Sequence, residues 1–181
     1  MDTSLLVALS ENNCYNKNVL LPKGLKKMVI TFCGHSNYLE NINDKEYILN
    51  ILEDLIKNKD VDFYIGGYGN FDYFALKCAK KYKEKHLNTR IIFITPYLGK
   101  WLEDRKNIIN KWYDMIIYPE LEKVPYKYSI LKRNKWMVDK SDYIIGYVKN
   151  HFGGAYKMLH YAQKQKKEYI NIYREKTKNS D

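Results

Sequence analysis

Cysteine is scarce: Cys14, Cys33 and Cys78 stand far apart in 181 residues, with no Cys-x-x-Cys pair. That excludes a disulfide framework and a zinc knuckle as the source of stability. No apolar run is long enough to span a bilayer. The amino terminus, MDTSLLVALSENN, has no basic segment before its short apolar run and reaches Glu11 too soon for a secretory signal. Repeats and low-complexity linkers are missing as well. The expectation is a cytoplasmic protein with no membrane partner, no metal and no cofactor. Arginine is scarce too, four of the 31 basic residues. The net charge of +10 and the pI near 9.3 are therefore carried by lysine. Those lysines are spread along a chain also rich in Asn, Ile and Tyr, as AT-rich coding would produce. No stretch interleaves basic with aromatic residues, so the charge reads as a solvated surface that attracts anions generally.

What is present suits one ordinary domain, with 45% apolar and 29% charged residues. From residue 28 onward, short β-branched or aromatic runs alternate with longer segments of helical period. Strands are expected at 28–33, 61–65, 90–96, 113–119, 142–148 and 169–173. Helices are expected at about 44–58, from the glycine turn to Lys85, at 101–112, from Pro125 through Ser141, and at about Ala155 to Lys166. Asp44 is the expected cap of the first helix, and Pro125 the first residue of the fourth. Six strands and five helices give a Rossmann-like, doubly wound α/β fold: a mostly parallel sheet with helices on both faces. Residues 1–27 show no clear period and are assigned to an arm or edge element, leaving 28–181 as the domain.

In such a sheet, ligands bind outside the carboxyl ends of the strands, where helix amino termini present free N–H groups. Three unusual loops fall there. The first is Gly34-His35-Ser36, the second Gly66-Gly67-Tyr68-Gly69-Asn70 with Asp72 close behind, and the third Gly153-Gly154 with Lys157 in the helix that follows. Glycines let the backbone take positive φ and let a phosphate approach main-chain N–H groups with no Cβ between. On that reading Gly67→Val and Gly154→Val should each abolish binding and leave folding intact. Pro96 closes the third strand at the same edge. Asp72 is either a carboxylate favoured by the helix dipole or an acceptor for a ribose, and it is the weak candidate for a general base. His35 reads as a loop hydrogen-bonder; beside Cys33 it makes no nucleophile-base pair without a third group to orient it. Arg133-Asn134 lies on a helix whose period leaves both a surface role and a phosphate-clamping role open.

Taken in order, ITFCGHSN, IGGYGNFDYFALKCA, YPELEKVP, LKRNKWMVDKSDYIIGYV and GGAYKMLHYAQKQKKEYINIY resemble the SLOG superfamily, which unites the DNA-processing protein A (Smf) and Lonely Guy proteins. Within it the chain looks most like the small YpsA-like proteins of low-GC Gram-positive bacteria. The resemblance spans residues 28–173. It implies a Rossmann-like fold with a site built from Gly34, Gly66, Gly67, Gly69, Asp72, Arg133, Asn134, Gly153 and Gly154. One departure matters: Leu159, with His160 next to it, stands where the Lonely Guy motif PGGxGTxxE has its catalytic Glu. Three functions follow as expectations. The first is binding, sensing or sequestration of a small nucleotide. The second is an N-glycosidic hydrolase or transferase, weakened by the missing Glu. The third is weak, salt-sensitive binding of single-stranded nucleic acid. Exposed tyrosines on the helices are compatible with a homodimer.

Overall fold

A computed structural model of the chain describes residues 6–7, 27–57 and 59–173. Six strands run parallel: β2 (Met28–Gly34), β3 (Val61–Ile65), β4 (Thr89–Ile94), β5 (Met115–Ile117), β6 (Tyr143–Tyr147) and β7 (Glu168–Asn171). A two-residue strand, β1 (Leu6–Val7), pairs antiparallel with β5 at one edge. The rest of the expected arm, 1–5 and 8–26, lies outside the described residues, as does the polar tail from Arg174. Strand order is β1-β5-β4-β3-β2-β6-β7. The chain starts its parallel sheet at β2, moves outward through β3, β4 and β5, then returns to the other side of β2 with β6 and β7. Loops leaving β2 and β6 therefore diverge to opposite faces, and a crevice opens between them at the carboxyl edge.

The pleat sorts side chains between two apolar layers. Ile30, Phe32, Phe63, Ile65 and Ile91 pack with α1 (Ile42–Ile56) and α2 (Asn70–Lys83). Ile92, Ile94, Ile117 and Ile144 pack on the other side with Met137 and Val138 of α5 (Tyr126–Lys140) and Met158, Leu159 and Ala162 of α6 (Gly153–Lys164). Phe93 and Ile116 gather Leu102 and Ile109 from two short helices, α3 (Lys100–Glu103) and α4 (Lys106–Trp112). Strands buried on both sides carry apolar residues at consecutive positions, which is why they read as unbroken runs.

The differences from expectation are local. Asp44 does not cap α1: Asn41 does, its side chain accepting from the N–H of Asn43. Asp44 lies buried in the first turn and accepts from the Tyr38 hydroxyl at 2.8 Å. Pro125 is the capping residue of α5, and the helix begins at Tyr126. The segment 101–112 is two helices broken at Asp104–Arg105, making six helices in all among the described residues. The third glycine pair is already helical, so α6 starts two residues before Ala155.

Candidate functional site

A cavity of about 420 Å³ occupies the crevice between β2 and β6. Its walls come from four places: Phe32 to Asn37 at the end of β2, Tyr68 and Asp72 after β3, Ile130, Arg133, Asn134 and Met137 of α5, and Asn150 with Phe152 to Ala155 and Met158 at the start of α6. Of the residues singled out from sequence, Gly34, His35, Ser36, Tyr68, Asp72, Arg133, Asn134, Gly153 and Gly154 come together here. Gly66, Gly67, Gly69, Asn70, Pro96 and Lys157 do not line it. The contributions missed include Ile130, Met137 and Met158, apolar helix positions that look like plain core, Phe32 and Asn150, and Phe152, which is 73% exposed.

His35 ties the two diverging loops together. Its Nε2 accepts from the backbone N–H groups of Lys149 at 2.8 Å and Asn150 at 3.0 Å. A ring nitrogen accepting two donors is unprotonated, so the proton sits on Nδ1, and burial lowers the His35 pKa in the same sense. Asn70 completes the brace from β3, its N–H donating to the Ser36 carbonyl and its side-chain amide to the Tyr38 carbonyl.

The second glycine loop works differently from expectation. A Cβ on Gly66 would lie 1.7 Å from Nη1 of Arg133, and one on Gly34 would lie 2.2 Å from the Phe71 ring. Both glycines make room for the protein's own side chains. Gly67 has φ +71, and a Cβ there would meet Phe93 at 2.5 Å. Gly67→Val is therefore expected to destabilise the fold, contrary to the reading from sequence, because both the backbone and Phe93 must give. Gly154 has no neighbour within 4 Å of a Cβ and no positive φ, and Gly153 (φ +88) is equally open. Of the three loops, the third is thus the one whose glycines have no side chain packed over them. Denaturant midpoints test the contrast: Gly67→Val should fall by ~1–3 kcal/mol and Gly154→Val should stay near the parent.

Arg133 is 2% exposed. Ser129, Arg133 and Met137 are buried at successive four-residue spacings on α5, so the arginine occupies a core position and points inward. Its Nη1 donates to the thioether of Met137 at 3.4 Å, a weak acceptor, and its Nε has no partner. Asp72, 8% exposed, accepts the Tyr68 N–H through Oδ2 at 2.7 Å, which serves the start of α2. Burial pushes the Asp72 carboxyl up to about 6, against the opposing pull of Arg133 and the Tyr68 N–H. The same burial lowers the Arg133 pKa, and Asp72 counteracts that. Across the cavity, α6 begins with no side-chain cap. A buried, under-bonded cation lining the same cavity as an uncapped helix start is suited to an oxyanion. Leu159 is 5% exposed in the core, so its position offers the cavity no carboxylate.

The structure also assembles the basic-aromatic stripe that no stretch of sequence contains. The Arg133 guanidinium carbon lies 5.3 Å from the Tyr68 ring centre, and Tyr68 is parallel to Trp101 at 6.0 Å. Arg105 covers Trp101 at 4.7 Å, Tyr97 meets Trp101 edge-on, and Tyr97 stacks on Tyr126 at 4.4 Å. Tyr126, the outer end, is 71% exposed.

No family model matches the chain. An uncharacterized SPbeta prophage-derived protein, YoqJ, of Bacillus subtilis (strain 168), is 29% identical over 137 residues, 66% of this chain and 80% of that protein. Among solved structures, DNA processing protein A from Helicobacter pylori, described for its single-stranded DNA binding mode, superposes with a TM-score of 0.54 at 20% identity over 78% of this chain. DNA processing protein A from Streptococcus pneumoniae gives 0.55 at 11% identity over 79%. The chain spans 63% and 49% of those two chains. At these identities the likeness shows the fold, the Rossmann-like architecture that the SLOG resemblance implies. Among the described residues, no helix is long and apolar enough to cross a membrane, and no cluster of His, Cys, Asp and Glu could hold a metal ion.

Proposed function

We propose that this chain binds a nucleotide-type ligand in the cavity between β2 and β6, with a phosphate held between Arg133 and the amino end of α6, and that it senses or sequesters that ligand. One observation carries the reading: a nearly fully buried arginine whose donors are under-used by the protein lines the same cavity as an uncapped helix start with open space over its glycines. The pI near 9.3 supports it, because a diffuse positive field attracts anions generally. Placement beside the small YpsA-like proteins, a cytoplasmic setting and a homodimer belong to the same proposal. The test is mass spectrometry of ligand released from the purified protein, followed by calorimetry with ADP-ribose, cyclic AMP and a thymidine dinucleotide. A nucleotide in the extract, or saturable binding of one of the three, supports the reading. An empty extract together with no binding heat from any of them overturns it.

A second reading, capture of an unpaired strand, is favoured by the stripe from Arg133 through Tyr68 and Trp101 to Tyr97 and Tyr126. Aromatic faces beside cations stack bases without regard to sequence, at ~1–3 kcal/mol per base. If a strand runs along it, Trp101→Ala and Tyr126→Ala should each weaken oligothymidylate binding roughly tenfold or more, and part of the parent's affinity should persist as salt is raised. Binding that disappears along a pure counterion-release slope, with both variants equal to the parent, would leave only the diffuse lysine contribution.

A further inference from the structure

We propose that the cavity takes up its anion together with a proton, and that Asp72 is the group that carries it. This deepens the phosphate-site reading and rests on it. The geometry places cation and carboxylate around one point: a Cβ on Gly66 would lie 1.7 Å from Nη1 of Arg133 and 3.0 Å from Oδ2 of Asp72. Both side chains are more than nine-tenths buried and both line the cavity. An oxyanion that reaches Arg133 is thereby brought close to Asp72, in surroundings largely shielded from water, where two negative oxygens repel strongly. The under-bonded guanidinium of Arg133 favours the approach, and the carboxylate opposes it.

A proton on Asp72 resolves the conflict. Its bond with the Tyr68 N–H occupies Oδ2, so Oδ1 can take the proton and donate it to a ligand oxygen. The free protein is already poised for this, since burial holds the carboxyl up to about 6. A bound anion adds repulsion and engages the cation that had been favouring the charged form, and both effects raise the value further.

The other titratable groups that face Asp72 are Cys33 from β2, Tyr113 at the end of α4 and Arg133 from α5. Burial pushes the Cys33 thiol up to about 12 and the Tyr113 hydroxyl up as well, so both keep their protons through the neutral range. Arg133 keeps its charge. His35, which also lines the cavity, is held unprotonated by the Lys149 and Asn150 N–H groups that donate to its Nε2, so Asp72 is left as the group that changes.

The sign follows from linkage. Below the free-protein value of about 6, Asp72 is protonated with or without ligand, and affinity is flat. Above it, and up to the higher value in the complex, binding draws in a proton, so affinity falls as pH rises, by at most about tenfold per pH unit.

The probes are cyclic AMP and thymidine dinucleotide, phosphodiesters whose own charge is constant from about pH 5.5 to 8.5. Calorimetry of the full chain at pH 7, in buffers of differing ionisation enthalpy, should show uptake of roughly half to one proton per bound probe. Asp72→Asn keeps an acceptor for the Tyr68 N–H and should bind with heat independent of buffer and affinity independent of pH. Parent binding without proton uptake overturns this inference and leaves the phosphate site standing, and uptake retained in Asp72→Asn overturns the assignment to Asp72. If neither probe binds the parent, this inference fails, and the phosphate-site reading is then decided by the extract and by ADP-ribose. If Asp72→Asn does not fold, the buffer series on the parent still decides whether a proton is taken up.

Discussion

Arg133→Lys is expected to weaken nucleotide binding by ~1–3 kcal/mol, roughly 5- to 150-fold. Two losses act together. The first is the fork: guanidinium presents several donors in a fixed plane, and an ammonium on a flexible stem cannot offer two parallel bonds to one phosphate. The second is the charge itself. At a position only 2% exposed, burial works against any cation, and lysine yields its proton far more readily than arginine. The deficit should therefore widen as pH rises, beyond the decline that Asp72 imposes on the parent. The variant should also melt somewhat lower than the parent, because the guanidinium fills space over Gly66 that an ammonium leaves partly empty. Titration with cyclic AMP at pH 6.5 and 8.5 measures both effects. Parent-like affinity at both pH values would make Arg133 a structural residue.

That arginine marks where sequence reasoning stopped short. The strands were legible because parallel strands covered on both sides are largely apolar at consecutive positions, as in FYI of β3 and IIFI of β4. Loop positions at the carboxyl edge followed from the same alternation. Side-chain direction on α5 did not, because Ser129, Arg133, Met137 and Val138 mark a buried face only if an arginine is accepted as a core residue. The glycines were found, but their purposes were not. Gly34 yields to Phe71, Gly66 to Arg133 and Gly67 to Phe93, and each partner lies on an element distant in sequence. The stripe was hidden for the same reason: Tyr68 follows β3, Tyr97 and Trp101 follow β4, and Tyr126 opens α5, so they meet only when those elements are side by side. Helix ends depended on competition between neighbouring polar residues. Asn41 reaches the free N–H of Asn43, while the nearby Tyr38 hydroxyl draws Asp44 inward.

Gly66→Ala is expected to remove binding nearly as completely as changing the arginine, without touching any group that would contact the ligand. Gly66 has no positive φ, so alanine meets no backbone strain. Its methyl would occupy the place of the guanidinium, 1.7 Å from Nη1 and 2.8 Å from the carbon that joins the three nitrogens. Arg133 must then swing away. It would leave its contact with Met137 and its position over Tyr68, and Asp72 would lose the cation that favours its charged form. Overpacking of this kind costs ~1–3 kcal/mol of stability, and the phosphate subsite loses its positive wall. If displacement of Arg133 is the whole cause, the two substitutions should not add, because the second finds nothing left to remove. The double variant Gly66→Ala, Arg133→Lys would then bind cyclic AMP about as weakly as the weaker single. Losses that multiply in the double variant, or a Gly66→Ala protein that binds like the parent, would show that the place of Arg133 over Gly66 does not govern recognition.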